Sequence, residues 1–338
     1  MTPDNLAEQV RDACRDGTSL RIDAAGTRAA WGREVDATPL DVTGYAGIVE
    51  YVPEELVITV RCGTPLSEIN AALAANRQVL AFDPPRFGGD PTIGGIVASG
   101  LAGPARPWVG SVRDFVLGVR LLTGRGDIVS LGGRVMKNVA GYDVSRLMAG
   151  AWGTLGVILE VSLRLLPAPA ETICLGCDFS AEEFVTRTRE LAKRLPVRGA
   201  VLKGSEAQFR IDGSSAVQAA ARDLVGGAES EPTLLDGARE LTFTDSAVLW
   251  RCSVPVSSRT FLEDASLLDW GGALRWLERE IDPRPELLAG EHAVQVGGAV
   301  RELPFQPLSG PVGQLHERLK AAFDPAGILN PGLMYGEL

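Results

Sequence analysis

Residues 92–100 read TIGGIVASG and residues 150–156 read GAWGTLG, two glycine-rich stretches about fifty positions apart. Glycine costs conformational entropy on folding, so it suits places where the backbone takes a positive φ or lies close to another surface. One Gly-Gly pair indicates only a tight turn. Two such loops flanking one β-rich segment indicate a cradle for a large ligand, in which backbone N–H groups and the hydroxyls of Thr92, Ser99 and Ser111 contact a pyrophosphate.

Composition restricts the class of protein. The 338 residues are enough for about two domains, and they are 45% hydrophobic and 22% charged, as in ordinary globular proteins. The net charge of -10, without any run of basic and aromatic residues, argues against nucleic acid and anionic membranes as partners. The sequence shows no signal peptide and no apolar stretch of the ~18 residues that a membrane span needs. Five irregularly spaced cysteines fit reduced thiols, so we expect a cytoplasmic protein without transmembrane segments.

Periodicity and turn residues predict the local structure. Prolines and glycines from 81 to 110 predict ordered, buried loop. Helices are predicted at 2–16, 67–78 (with Thr64 as the cap and Pro65 in the first position), 145–151, 181–194, 215–225, 274–280 and 312–323. Strands are predicted at 19–22, 56–61, 115–123, 128–131, 154–166, 172–178, 199–203, 207–211 and 247–254.

A domain boundary is predicted at residues 167–170, where the sequence PAPA ends a long strand pattern. Beyond it, the order β-α-β-β-α predicts an antiparallel sheet with helices on one face. The expected division is a first domain at 1–168, a second, smaller α+β domain at 169–311, and a C-terminal helix and tail at 312–338.

The common catalytic and nucleotide motifs are missing. No P-loop, no G-x-G-x-x-G after a strand, no G-x-S-x-G and no H-E-x-x-H occurs, and the chain has only two histidines, His292 and His316. The chain therefore has too few histidines for a histidine-rich metal site, and no motif indicates a hydrolytic triad. Cys174 and Cys177 form a lone C-x-x-C, which we interpret as two buried thiols, because zinc or an iron-sulfur cluster needs four ligands. We expect no metal.

Two long stretches form one ordered set of motifs: TIGGIVASGLAGPARPWVGSVRDFVLGVRLLTGRGD (92–127) and VMKNVAGYDVSRLMAGAWGTLGVILEVSLRLLP (135–167). Together with DWGGALRW (269–276) and FDPAGILNPGLMY (323–335), they resemble the vanillyl-alcohol oxidase/p-cresol methylhydroxylase superfamily of FAD-binding proteins, and within it the FAD-binding subunits of bacterial glycolate oxidase. The resemblance spans nearly the whole chain. It implies an α+β fold: a two-part FAD-binding domain of the p-cresol methylhydroxylase type, followed by a smaller antiparallel-sheet α+β domain whose C-terminal tail returns to the flavin.

The resemblance also implies which residues hold FAD. Residues 92–100 and 111–114 would lie along the pyrophosphate and isoalloxazine, residues 150–158 would hold adenine and ribose, and Asn330 would reach the flavin edge. The expected FAD-binding residues are Gly26, Thr27, Pro84, Thr92, Ile93, Gly94, Gly95, Ser99, Gly100, Ser111, Val112, Arg113, Asp114, Tyr142, Gly150, Gly153, Gly156, Val157 and Asn330. FAD would be non-covalent, since no histidine or cysteine lies in these loops.

Two segments leave alternatives open. Ala24-Ala25 stands where the family has a Gly-Gly pair, and a methyl group at a positive φ would cost about 1 kcal/mol or more each. Either FAD binding is weaker here, or the loop takes another shape that Gly26 permits. Residues 137–143 either line the rim of the flavin pocket, as in the family, or form the capped entry to a helix with Asp143 as the cap.

Oxidation of a 2-hydroxy acid needs a cation for the carboxylate and a base near the hydroxyl. Gly290-Glu291-His292 is similar to the family's G-E-H-G, so His292 is a candidate base; the alternative is a polar surface turn. A second metal-binding histidine has no counterpart. Arg106 and Arg275 are candidate carboxylate ligands, or else scaffold arginines held in salt bridges.

The resemblance therefore implies an FAD-dependent 2-hydroxy-acid oxidoreductase: a subunit of a glycolate oxidase complex that oxidises glycolate to glyoxylate or relays its electrons. Its expected partners are a longer FAD-linked flavoprotein subunit and an iron-sulfur subunit. Its expected location is the cytoplasm, peripheral to the inner membrane through the complex. Two alternatives remain open: a non-catalytic assembly subunit with weak or no FAD, and an independent flavin oxidoreductase for another 2-hydroxy acid or alcohol.

Overall fold

The computed structural model describes residues 1–133, 144–298 and 302–336. The predictions for Tyr142 and for residues 137–143 lie outside these ranges. The elements up to residue 167 are, in chain order, α1 (Pro3–Asp16), β1 (Leu20–Asp23), β2 (Thr38–Asp41), β3 (Ile48–Val52), β4 (Val57–Arg61), α2 (Leu66–Ala74), β5 (Gln78–Val79), α3 (Ile93–Ser99), α4 (Arg106–Val109), α5 (Val112–Phe115), β6 (Val116–Leu122), β7 (Ile128–Gly132), α6 (Val144–Leu147), β8 (Val157–Arg164) and β9 (Leu166–Pro167).

The remaining elements alternate strands with helices. They are β10 (Glu171–Asp178), α7 (Ala181–Leu191), β11 (Val197–Lys203), β12 (Glu206–Gly213), α8 (Ser215–Val225), β13 (Ala228–Glu229), α9 (Thr233–Glu240), β14 (Val248–Ser253), β15 (Leu267–Asp269), β16 (Leu274–Leu277), β17 (His292–Gly297) and α10 (Gly310–Phe323).

The first part of the chain is organised by a five-stranded antiparallel sheet in the order β3-β4-β8-β6-β7. Its strands β4 and β8 are buried along most of their length, and α3, which contacts both, shares one hydrophobic core with α1 and α2. A separate pair, β1 and β2, runs parallel, and Leu20 of β1 also bridges Leu329 of the C-terminal tail. The tail is thereby fixed to the first part of the chain.

The second part is an eight-stranded antiparallel sheet in the order β13-β10-β12-β11-β15-β16-β14-β17. Ala200 and Leu202 of β11 share a core with α7 and α8, whereas Val201 shares one with α9. Since successive side chains of a strand point to opposite faces, α9 lies on the other face. The two helices of the predicted β-α-β-β-α order, α7 and α8, lie on one face as expected, whereas α9 was not predicted. Among the described residues, all strands of the five-stranded sheet precede residue 168 and all strands of the eight-stranded sheet follow it. This arrangement is compatible with the proposed boundary.

Three local predictions are wrong for identifiable reasons. Residues 274–280 were expected to be helical, but Leu274–Leu277 form the fully buried strand β16, where sheet pairing decides the structure. The stretch expected to be loop contains α3, capped by Thr92. The cap of α2 is Pro65 rather than Thr64, because the Thr64 hydroxyl instead accepts from the Gly47 N–H and donates to the Arg61 carbonyl.

Candidate functional site

A cavity of about 980 Å³ lies in the first part of the chain, between the loop after β1, the start of α3, and residues 152–158. This is the size range of cofactor pockets. The tail closes one side through Asn330 and Leu333. Ten of the residues expected to bind a cofactor line it: Gly26, Thr27, Thr92, Gly94, Gly95, Ser99, Gly153, Gly156, Val157 and Asn330.

The other expected residues within the described ranges do not line this cavity. They are Pro84, Ile93, Gly100, Ser111, Val112, Arg113, Asp114 and Gly150. Asp114 accepts hydrogen bonds from the N–H and the hydroxyl of Ser111, at 2.8 and 2.7 Å, so the two residues form a capping box for α5. Gly100 ends α3 with a φ of 63°, and a Cβ there would lie 3.0 Å from the Gly150 nitrogen. These two glycines let the end of α3 meet the second glycine-rich loop.

The loop after β1 presents main-chain donors to the cavity. In the described part of the chain, no acceptor is hydrogen-bonded to the N–H groups of residues 24–28. Of these residues only Gly26 has a positive φ, 70°, and a Cβ there would meet nothing within 4 Å. The strain expected at Ala24 and Ala25 is therefore absent, because the loop takes the other shape that Gly26 permits. Successive free N–H groups of this kind form a nest for an anion.

The start of α3 differs, because its N–H groups already have acceptors. The Ile93 N–H donates to the Thr64 carbonyl at 2.9 Å, and the Gly94 N–H donates to the Cys62 carbonyl at 2.9 Å. The Gly95 N–H donates to the Thr92 hydroxyl at 3.3 Å. A Cβ on Gly94 would lie 2.7 Å from the Cys62 Cβ, whereas one on Gly95 would meet only the Thr92 hydroxyl at 3.4 Å. Gly94 thus serves packing, and Gly95 leaves open space.

Asn330 holds the tail against the cavity. It has a φ of 43°, its side-chain oxygen accepts from the Ile22 N–H at 2.8 Å, and its side-chain nitrogen donates to the Trp152 carbonyl at 2.8 Å. Behind it, the buried Lys320 ammonium contacts Asp324 at 2.8 Å and donates to the carbonyls of Thr154 and Leu329. The amide of Asn330 thus joins β1, the second glycine-rich loop and the tail at one point.

The three candidate catalytic residues occupy different surroundings. Arg275 is fully buried and donates to the carbonyls of Gly272, Thr260 and Ser258, so it holds a loop of the second sheet and is not placed to bind a substrate. Arg106 lies with its guanidinium 4.4 Å from the Trp270 ring centroid. His292 begins β17 and is exposed.

Sequence reasoning missed several cavity residues. Trp31 and Trp152 line the cavity with stacked rings, 6.3 Å between centroids and 29° between planes. Arg28 also lines it; its guanidinium donates to the Pro85 carbonyl at 2.8 Å, and burial lowers its pKa to about 10, so it stays a cation at neutral pH. Trp152 stands inside the quoted GAWGTLG, where a large aromatic among glycines was an available signal. Trp31 and Arg28 lie just after Ala24-Ala25, where the sequence differs from the family's Gly-Gly pair. No motif in that stretch marked them as cavity residues.

Two kinds of feature are absent from the described residues. No cluster of three or more His, Cys, Asp or Glu side chains is arranged there to hold a metal ion. No helix in the same ranges has both the length and the apolar character to cross a membrane.

Comparisons with known proteins bear on this cavity. Residues 1–132, which supply most of its walls, match the family described as "FAD binding domain". Glycolate oxidase subunit GlcE of Escherichia coli (strain K12) is 44% identical over 98% of this chain and 97% of that protein. Glycolate oxidase subunit GlcD of Bacillus subtilis (strain 168) is 34% identical over 36% of this chain and 26% of that protein.

A solved structure of alkyldihydroxyacetonephosphate synthase superposes with a TM-score of 0.68 over 96% of this chain and 75% of that one, at 14% identity. A likeness at that identity concerns the fold alone. The expected fold, an FAD-binding domain joined to an antiparallel-sheet α+β part, is confirmed, and so is FAD as the cofactor.

Proposed function

Because the chain belongs to the family of glycolate oxidase subunit GlcE, we propose that it is the FAD-binding subunit of a glycolate oxidase, which converts glycolate to glyoxylate or relays the electrons of that oxidation. The observation that carries the proposal is the 44% identity across 98% of the chain. The alternatives of an independent oxidoreductase and of an assembly subunit without FAD gain no support from these relatives.

The cavity residues fit FAD. The free N–H groups of residues 24–28 suit a pyrophosphate, since charge-assisted hydrogen bonds from main chain need no cationic partner. Trp31 and Trp152 offer apolar faces, and the bare Gly95 leaves room for a flat ring. When bound, FAD supplies the two-electron acceptor that the oxidation of an alcohol requires. We propose that FAD is held non-covalently by the residues that line this cavity.

The chain's own residues would position FAD and exclude water from it. Residues 24–28 would orient the dinucleotide by its phosphates, and Asn330 would keep the tail closed over the cavity through its two main-chain contacts. The division into 1–168, 169–311 and 312–338 agrees with this arrangement, because Leu319, Phe323, Ile328 and Leu329 pack into the core of the first part.

We further propose that the partners are a longer FAD-linked flavoprotein subunit and an iron-sulfur subunit, and that the chain works in the cytoplasm, peripheral to the inner membrane through that complex. The support is the word "subunit" in the names of both glycolate oxidase relatives. Purification of the tagged chain from its native host, followed by identification of co-eluting chains, tests this. A chain that elutes alone and is still reduced by glycolate contradicts the partner proposal.

The decisive experiment uses the purified full-length chain and its visible absorbance. A flavin spectrum that bleaches on anaerobic addition of glycolate establishes a working dehydrogenase. A flavin spectrum that glycolate leaves unchanged, but that a reduced partner subunit bleaches, establishes the relay. A colourless protein that does not take up added FAD overturns the proposal.

A further inference from the structure

Two arginine side chains lie against one indole ring. The guanidinium of Arg106 is 4.4 Å, and that of Arg251 is 4.8 Å, from the ring centroid of Trp270. Arg106 belongs to α4 in the first part of the chain and Arg251 to β14 in the second, so the pair spans the junction of the two parts. The ring is fixed, because its Nε1–H donates to the Gly103 carbonyl at 3.1 Å.

Neither guanidinium has an ion pair in the described ranges of the chain. The guanidinium of Arg106 donates no hydrogen bond to any residue there, and that of Arg251 donates one weak bond, to the Ser253 hydroxyl at 3.4 Å. Burial lowers the pKa of both groups, and the charge of Arg106 contributes to the lowering at Arg251. Both side chains are half-buried, and a partly desolvated cation without a counter-ion costs folding free energy, so the pair favours a bound anion.

The carboxylates that influence this pair are already engaged. Asp114, near Arg106, accepts two hydrogen bonds from Ser111. Asp269, near Arg251, accepts from the Trp270 N–H at 2.6 Å, and burial raises the pKa of Asp269 to about 7. At neutral pH the Asp269 carboxyl is therefore protonated much of the time and supplies only part of a negative charge.

Other arginines that lie over rings in the second part are neutralised. Arg284 lies 5.1 Å from the Trp250 ring centroid and forms an ion pair with Asp282 at 2.6 Å. Arg279 lies over Phe261 and pairs with Glu286. The pair on Trp270 differs from both because neither of its guanidinium groups forms an ion pair with a carboxylate of the described residues, although the net charge of the chain is -10.

His292 adds a third polar group at the same place. It is paired with Ser253 in the β14–β17 ladder, two residues from Arg251 along β14, so the two side chains stand on one face of the sheet. The side chain of His292 is exposed in part, but partial desolvation, followed by the charges of Arg251 and Arg106, lowers its pKa. Its imidazole is therefore neutral at pH 7 and can accept a hydrogen bond.

We propose that Arg106, Arg251 and His292 form a binding site for a small carboxylate beside the Trp270 ring. Guanidinium groups bind carboxylates by paired, charge-assisted hydrogen bonds, and an aromatic face holds the guanidinium plane in position. The neutral His292 is placed to accept a hydrogen bond from a hydroxyl next to that carboxylate. The assignment of this ligand as the 2-hydroxy acid rests on the proposed function; the anion site does not.

The test uses the flavin-loaded full-length protein and titration calorimetry. Oxalate is the probe, because it presents carboxylates but has no hydrogen that can be removed in an oxidation, and inorganic phosphate is the competitor. Arg106→Gln and Arg251→Gln should each weaken oxalate binding about tenfold or more, the effect of losing one charge-assisted contact. Arg284→Gln is the matched control, since that arginine also lies over a tryptophan but has its own carboxylate, and it should bind oxalate as the unmodified protein does.

The outcomes separate the site from the function. Failure of the unmodified protein to bind oxalate, or unchanged affinity in both glutamine variants, overturns the site. Phosphate binding as tight as oxalate binding would retain an oxyanion site but overturn its assignment to a carboxylate. Arginine-dependent oxalate binding without any bleaching by glycolate would uphold the site and count against catalysis by this chain. Arg251→Lys, which keeps the charge and loses the paired geometry, covers the case in which Arg251→Gln does not fold, and it should bind with intermediate affinity.

Discussion

The loop at residues 24–28 and the start of α3 at residues 92–95 are two walls of one cavity, and their main chains are used in different ways. In the first wall the N–H groups have no acceptor among the described residues, although two residues of this wall are alanines. In the second wall the glycines are more numerous, yet the N–H groups of Ile93, Gly94 and Gly95 are all hydrogen-bonded within the protein. Glycine content therefore marks close packing of the backbone, and free donors must be located separately.

The largest effect is expected from the first wall. Gly26→Ala places a side chain at a φ of 70° and should rearrange the free N–H groups around it. If the rearrangement removes one such donor from the pyrophosphate, FAD affinity should fall by about tenfold to a hundredfold, because a hydrogen bond to a charged group is worth about 1.5–3 kcal/mol. Fluorescence quenching on FAD addition measures the change.

Riboflavin, which has no phosphate, is the control ligand for this variant. Its affinity should change much less than that of FAD, since it makes no contact that the N–H groups could lose. An equal loss of affinity for FAD and riboflavin would show that the substitution damages the site of the flavin ring instead. The free N–H groups would then not distinguish the first wall from the second.

The second wall makes a prediction about stability. A Cβ on Gly94 would lie 2.7 Å from the Cys62 Cβ and 2.9 Å from the Cys62 carbonyl oxygen, and Cys62 belongs to a strand-end position that cannot yield easily. We expect Gly94→Ala to reduce the free energy of unfolding by about 1–3 kcal/mol, as overpacking does in well-packed cores. Urea denaturation of the flavin-free protein measures it; an unchanged or raised midpoint would mean that Gly94 is not kept for packing.

The neighbouring residue provides the matched comparison. Gly95→Ala adds a methyl group that meets only the Thr92 hydroxyl at 3.4 Å, so the flavin-free protein should be unchanged or more stable by up to about 1 kcal/mol, from the higher helix propensity of alanine. The same variant should bind FAD more weakly, because the methyl group occupies cavity space. A destabilised flavin-free protein with normal FAD affinity would reverse the roles given to Gly94 and Gly95.

Much of the first part was predictable from sequence because its strands repeat apolar residues and its loops carry the glycines. The Leu56–Arg61 pattern gave β4 within one residue, and ten cavity residues came from the resemblance. The helix α3 was not predictable, since two glycines lower helix propensity and the contacts that offset this, to Cys62 and Thr64, are distant in sequence. Arg251 carries no motif at all; only the sheet register places it beside Arg106 and Trp270.

The smallest effect separates a capping role for Thr92 from a direct role in ligand binding. Its hydroxyl oxygen accepts from the Gly95 N–H, and within the described ranges the hydroxyl has no acceptor, so its proton is available to a ligand in the cavity that Thr92 lines. Thr92→Val should cost about 1 kcal/mol of stability through loss of the cap, and Thr92→Ser should restore it. If Thr92→Ser restores both stability and FAD affinity, the hydroxyl caps the helix and also contacts the ligand. If Thr92→Val lowers stability but leaves FAD affinity intact, the hydroxyl acts only as a cap. The second wall then contributes its shape to the cavity but no hydrogen-bond donor.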